Sequence, residues 1–436
     1  MTEVMLHAGE PPICTPGGPV HVVLYNGAAH PGAPRVGGPV LKSVRRLGVR
    51  PSVASFDLLT VALAVTAADT FVPRTTESDV GWGRELRVSV PLQAPGPWTA
   101  LASTLERALN FLTGDQWTFT FRTGGPYRPL PMERGHRISL EGVDAVSLFS
   151  GGMDSAMGVL GLAADGVRPL LVSHAYPGDS KKQRTVRRAA FPELPQFAAF
   201  VRTYWPALSN HDTTMRGRSF NFLALAAVAA TAVASVNGRA QVRLVVPENG
   251  FIAINAPLTR RRFGSLSTRT THPHFLALMR ELLNGLGIPA PIENRYEFNT
   301  KGEMVHQWKD SPGFRAWAAE TVSCGKWKRR HIQCGRCLPC LIRRASFHAA
   351  GVLDPTPLYE NPSLPVVLAS GDPNARGDLL AVMGAVRLLA GSDLAARVGA
   401  SGPLPTDPAC RAKYEAVVRR GLAEVKSYLV HSGIRV

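Results

Sequence analysis

The chain has 436 residues, 45% of them hydrophobic and 19% charged, the composition of a folded soluble protein with room for roughly two or three cored domains. Lysine and arginine outnumber aspartate and glutamate by 49 to 32; this excess suits nucleotides, nucleic acid or an acidic partner but establishes none of them. The Met1-Thr2-Glu3 start lacks a signal peptide's basic and apolar regions, and the longest apolar stretch, 220–236, is Ala-rich, contains Asn221 and is too short to favour a span; a cytoplasmic protein without a membrane partner is expected.

Residues 1 to 50 are rich in glycine and proline, with one strand-like run at 21–25. A helix is expected over 55–68, a strand over 85–90, a helix over 98–111 and an alternating strand over 117–121. This mixture predicts a small N-terminal α+β accessory domain over 1–135, closed by the Pro- and Gly-rich segment 124–135. From Asp144 the pattern becomes regular. The apolar run 144–149 reads as a strand, Ser150-Gly151-Gly152-Met153-Asp154-Ser155 as a tight turn, and 156–164 as a buried helix ended by Asp165-Gly166. Two glycines let backbone fold closely around an anion, while first-turn amides and the helix dipole face its charge. Ser150 and Ser155 add hydroxyl donors, and Asp154 is a candidate for the Mg2+ that accompanies a nucleotide. No Gly-Lys-Ser/Thr follows, so the turn is not of the Walker type. Ser-Gly-Gly-x-Asp-Ser after a strand resembles the pyrophosphate loop of the ATP-pyrophosphatase (PP-loop) enzymes, which attack the α-phosphate of ATP and release pyrophosphate.

Further strands are expected at 169–174 and 242–246, with the Ala-rich helix 220–236 between them and helices near 275–286 and 312–322. Alternating β and α elements predict an α/β fold, a doubly wound parallel sheet whose ligand lies at the strands' carboxyl ends. The loops after Phe149, His174 and Val246 then share one cleft. After Cys340 the chain reads as a helical extension over 351–436, clearest at 378–398 and 408–429.

Four of six cysteines follow the spacing Cys324-x9-Cys334-x2-Cys337-x2-Cys340, which can enclose Zn2+ in a closed structural site; Cys14 and Cys410 stand alone. Such clustering fits a reducing compartment better than a disulfide framework does. Redox chemistry at Cys337 and Cys340 and an iron–sulfur cluster are the competing readings. The basic residues Lys326, Lys328, Arg329, Arg330, Arg336, Arg343 and Arg344 are expected to offset the thiolate charge. Other basic clusters, at 181–188 and 260–262, read individually as solvated surface.

Thr321-Val322-Ser323-Cys324 followed by Cys334-Gly335-Arg336-Cys337-Leu338-Pro339-Cys340-Leu341-Ile342-Arg343-Arg344-Ala345-Ser346-Phe347 resembles the QueC, or 7-cyano-7-deazaguanine (preQ0) synthase, family. The stretch beginning Gly217-Arg218-Ser219-Phe220 is similar to that family's Gly-Arg-Asn motif, with Ser219 in place of the asparagine; Met153 stands where the loop usually has glutamine. The resemblance covers roughly 144–350 and implies a PP-loop ATP-pyrophosphatase core over 140–350 with a zinc module at 321–347. It also implies ATP-driven activation of 7-carboxy-7-deazaguanine, attack by ammonia, and zinc in a structural role. About 140 residues before the loop and a long helical tail exceed that family's short form; the extended shape is similar to QueC-like proteins of anti-phage gene clusters such as QatC, which implies a defence role and protein partners.

The residues assigned to this chemistry are Asp154, Ser155 and Arg269 for catalysis and the loop 150–155 with His174 and Arg218 for ATP. Glu248, Asn249, Thr268, Arg269 and Thr270 are assigned to the substrate, and Cys324, Cys334, Cys337 and Cys340 to zinc. Glu248 can accept from the amidine-type edge of a deazapurine, or it can cap a loop. Arg269 among threonines suits triphosphate or carboxylate, although a solvated basic loop reads the same way. His272, before a proline, reads as structural, and Lys181 and Arg184 as a solvated helix face. Two rivals share the pattern: a tRNA-thiolating PP-loop enzyme, and a zinc-stabilised nucleic-acid-binding subunit that senses ATP.

Overall fold

The computed structural model describes the chain apart from residues 26, 79–82, 175–178, 207–215, 259–268, 328–330 and 388–392. Strands β1 (Thr2–His7), β2 (Val20–Tyr25), β3 (Arg35–Gly37), β4 (Glu85–Pro91) and β5 (Gln116–Arg122) form the N-terminal sheet, ordered β5-β4-β1-β2-β3. Apolar residues alternate along them, so that Val4, Leu6, Val22, Leu86, Val88 and Trp117 point into one core. All five run parallel. The expectation of an α+β unit here is therefore corrected to a parallel α/β arrangement. Period-two alternation marks a strand without giving its direction; the helices Val53–Phe71 and Ala102–Thr113 act as the crossovers that parallel pairing needs.

The second sheet comprises β6 (Ala145–Leu148), β7 (Pro169–His174), β8 (Gln196–Ala199), β10 (Arg243–Val245) and β11 (Ile292–Glu293), in the order β11-β10-β6-β7-β8. Every pair is parallel. The chain winds outward from β6 to one side and then returns to place β10 on the other, which opens a crevice beyond the carboxyl ends of β6 and β10. Strand β9 (Thr203–Tyr204) leaves this unit and pairs antiparallel with β3, extending the N-terminal sheet.

Two helices, Val53–Phe71 and Arg218–Asn237, are long and apolar enough to cross a membrane by length and composition, yet 83% and 78% of those stretches are buried in the fold. They pack on each other between the sheets, with Asn221 donating to Thr66 and Thr231 Oγ1 to Ser55 Oγ at 3.3 Å. One hydrophobic cluster consequently runs from Val4 to Ile292. A second joins Phe251, Ile254 and Leu341 to the C-terminal helices Leu364–Ala369, Pro373–Val386, Asp393–Gly399 and Pro408–His431.

Candidate functional site

The turn after β6 reaches the switch-point crevice. Gly151 has φ +75°, and a Cβ there would lie 3.1 Å from the Gln183 backbone. A Cβ on Gly152 would meet Ser150 Oγ at 3.3 Å and Val322 O at 3.5 Å. The hydroxyls brace the turn: Gly152 N donates to Ser150 Oγ (3.2 Å), and Ser155 Oγ donates to Gly152 O (2.8 Å). The helix Met153–Ala164 then starts without a side-chain cap, which leaves its first amides for an outside acceptor. Met153 buries its side chain in the cluster with Phe149 and Met157, so the backbone amide is what this position offers. A narrow glycine cradle, uncapped amides and two hydroxyls fit the phosphates of a nucleotide.

Asp154 is the hub. It is 6% exposed; Lys301 Nζ lies 2.6 Å from Oδ1, and Asn249 Nδ2 donates to Oδ2 at 2.6 Å. Burial pushes its carboxyl up, but Lys301, Glu248 and Asn249 together outweigh this and hold it at about 2. Glu248 goes the other way: burial and then the charge of Asp154 raise it well above the usual carboxylate range. Asn249 also caps the short helix Gly250–Ile254 by accepting from Ile252 N at 3.0 Å. The pair after β10 thus serves both as a cap and as part of the acidic cluster. Asp154 and Glu248 are oxygen donors of the kind Mg2+ takes.

Lys301 is absent from the sequence assignments. It opens the helix Lys301–Trp308, whose N-cap Thr300 and Glu303 form a reciprocal capping box. That Thr-x-x-Glu pattern marks a helix start in the sequence; it does not say that the first helical side chain meets Asp154.

His174 ends β7 fully buried, its carbonyl accepting from Gln183 Nε2 (3.3 Å) and Arg218 Nη2 (3.0 Å) and its ring lying against Phe222. His174 and Arg218 are thereby brought together, with Gln183 linking them to the Gly151 turn. Arg269 is not joined to this cluster: it donates to Phe111 O at 3.0 Å and stacks on the Phe111 ring, and burial lowers its pKa. These contacts tie it to the N-terminal unit. Thr270 is half-buried nearby, and Thr268 falls outside the described residues. His272 is buried, its Nε2 3.0 Å from Ser401 Oγ and its Nδ1 accepting from His274 N.

The four cysteines converge. All four Sγ atoms lie within 4.8 Å of one another, with Cys334–Cys340 at 4.0 Å and Cys324–Cys337 at 3.9 Å. A tetrahedron of Zn–S bonds near 2.3 Å has edges of about 3.8 Å, so the donor set and spacing fit zinc. Amides of Lys326 and Cys334 donate to Cys324 Sγ, and the amide of Cys337 to Cys334 Sγ, each at 3.3 Å. Local backbone therefore supplies polar stabilisation expected from basic side chains. Arg336, Arg343 and Arg344 instead bind backbone carbonyls and threonine hydroxyls; Lys328, Arg329 and Arg330 fall outside the described residues. The module abuts the glycine turn, since Val322 N donates to Gly151 O at 3.4 Å. Beside that link lies a cleft of about 530 Å³ lined by Lys181, Lys182, Val322, Gln333 and Leu358.

Short segments of the chain are similar to curated 7-cyano-7-deazaguanine synthases. The similarity is 55% identity over 53 residues to that of Rhizobium rhizogenes, covering 12% of this chain and 21% of the relative. It is 59% over 44 residues to that of Sinorhizobium fredii (10% and 17%) and 52% over 44 residues to that of Ruegeria pomeroyi (10% and 18%). The chain thus spans about a fifth of the length of the curated relatives it matches. No family model and no solved structure matches it. These partial matches support a QueC-like relationship.

Proposed function

We propose that the chain is a QueC-like, ATP-dependent ligase that adenylylates the carboxylate of a 7-deazaguanine-type substrate, 7-carboxy-7-deazaguanine, releasing pyrophosphate and then AMP. The observation that carries this reading is the Asp154 hub. An ionised aspartate, a lysine and an uncapped glycine turn meet at the sheet's switch point, beside a four-cysteine centre. The substrate carboxylate oxygen attacks the α-phosphorus in line, the bond to the β-phosphate oxygen breaks, and pyrophosphate leaves with the electron pair. The turn's amides and Lys301 suit the charge that develops on that leaving group. Asp154 and Glu248 would hold Mg2+, which supplies charge neutralisation when bound. An amine then attacks the acyl-adenylate and expels AMP. With ammonia the product is the amide, and a second ATP would adenylylate the amide oxygen so that AMP leaves with that oxygen while the nitrogen gives up its two protons and the nitrile of preQ0 forms. Zinc would be held by the cysteines as a structural ion.

A second acceptor, an amine on a partner protein, is favoured by the cleft beside Gly151. Its basic wall at Lys181 and Lys182 and its exposed Leu358 suit an extended peptide. A defence role belongs with this version and rests on resemblance to the extended QatC-like chains. Incubation with Mg-ATP and 7-carboxy-7-deazaguanine, with and without ammonium, tests the reading by AMP, pyrophosphate and product mass. Substrate-dependent AMP that falls at least a hundredfold in Asp154→Ala is expected. A preQ0 mass identifies ammonia as acceptor. Salt-dependent RNA or DNA binding without pyrophosphate release would instead support the nucleic-acid-binding rival.

A further inference from the structure

The helix Pro408–His431 lies along the far side of the residues that hold Asp154. Its Glu424 carboxylate accepts from the Thr300 hydroxyl and, at 3.2 Å, from Gly302 N, the groups flanking Lys301. A Cβ on Gly302 would sit 2.5 Å from Glu424 Oε1, so a larger residue there would push the carboxylate away from its present place. One turn earlier, Arg420 donates to Glu303 Oε1 at 2.6 Å and to Phe298 O at 2.7 Å. Between the two, Gly421 is packed so tightly on Phe251 that a Cβ would approach its ring to 2.5 Å, and Val417 Cγ1 would lie 3.1 Å from a Cβ on Gly250. Gly250 and Phe251 belong to the helix capped by Asn249, the other partner of Asp154.

We infer that Glu424 is a positioning residue of the nucleotide site, fixing the start of the Lys301–Trp308 helix so that Lys301 meets Asp154. The inference rests on the proposed nucleotide site and deepens it by making the C-terminal helix part of that site. Glu424 touches neither Asp154 nor the glycine turn; it acts through Thr300 and Gly302. A carboxylate at a helix N-terminus also complements the dipole there, and the neighbouring charges are Glu303, Arg420 and Lys301.

The test is a double-mutant cycle on the full chain, with the Mg-ATP dissociation constant measured by calorimetry and thermal unfolding as the fold control. Glu424→Ala is expected to weaken Mg-ATP about tenfold, Lys301→Ala by at least as much, and the double variant no more than Lys301→Ala alone. Glu424→Gln, which keeps an acceptor oxygen, is expected to recover most of the loss. Additive losses, or an unchanged constant in Glu424→Ala, would overturn the positioning role while leaving the nucleotide site standing. Absence of Mg-ATP binding in the unaltered protein would overturn that site and the inference together. If Glu424→Ala fails to fold, Glu424→Met, which keeps the side chain's length without an acceptor, takes its place in the cycle with Lys301→Ala, with non-additivity again the expected result.

Discussion

Asp154 and Glu248 are carboxyl groups beside one another whose environments drive them apart, and the pH dependence of stability follows. Asp154 is held at about 2, below its ordinary 3.8, so its contribution is present above pH 3.8 and is lost as pH falls through 2. The shift corresponds to about 2 kcal/mol. Glu248 has the opposite sign: its raised folded pKa gives stability that is complete below 4.5 and disappears as pH rises through the folded value. Replacing Lys301 with methionine removes the cation from a buried pair, and should cost about 3 kcal/mol or more in urea unfolding at neutral pH. The same titration from pH 2 to 4 should show a weaker acid limb than the unaltered protein does. An unchanged acid limb would mean that Lys301 does not hold Asp154. Glu424 gives a separate signal, since burial pushes it up to about 7 despite bonds from Thr300 and Gly302. Stability should decline from pH 4.5 to 7 on its account, and Glu424→Gln should flatten that decline. Of these residues, Asp154 is legible in the sequence because it belongs to the glycine motif after an apolar strand, and Glu248 and Asn249 because they lie a few residues past a later apolar strand of the cleft. Lys301 and Glu424 are not, because their meeting with the site depends on how distant helices pack.

At the scale of elements, local signals locate most strands and helices while leaving their partners open. The turn Ser150-Gly151-Gly152 is readable because the φ of Gly151 favours glycine and a Cβ there would crowd the Gln183 backbone. The cysteine module is readable because tetrahedral coordination restricts spacing. By contrast, the run 98–111, which reads as one helix, divides at Leu101 into Pro95–Ala100 and Ala102–Thr113. Strand β1 is hidden in the sequence because apolar Met5 stands between Val4 and Leu6 and masks the alternation that their burial shows. The cysteine module also carries a prediction. Four thiolates with local amide support should retain one zinc per chain, counted by plasma mass spectrometry, and Cys337→Ser should lower that occupancy at least tenfold. Because Val322 links the module to Gly151, metal removal should also weaken Mg-ATP binding. Zinc loss with unchanged nucleotide affinity would show that this link does not transmit order to the turn.

For the whole molecule, the decisive feature is the packing of Val53–Phe71 on Arg218–Asn237. Sequence composition suggests a break near the Pro- and Gly-rich segment 124–135, since such residues serve linkers and surface turns alike. The structure places that segment between strands whose helices share a continuous apolar cluster, and β9 from beyond the segment completes the N-terminal sheet. Buried polar contacts reinforce the join. Arg216 donates to Thr113 O at 2.9 Å beside the buried ion network of Arg74, Arg84, Asp69 and Asp115. Arginines of that network share both carboxylates, so loss of one partner leaves a charge stranded in the interior. Calorimetry of the full chain should therefore show the N-terminal sheet and the loop-bearing sheet unfolding in a single transition. Asp115→Asn, which weakens the network on the N-terminal side, should shift that whole transition downward by several degrees. A separate early transition confined to the N-terminal sheet would instead mean that the two sheets fold as independent units, and that the accessory region can be removed without exposing the apolar face of Arg218–Asn237.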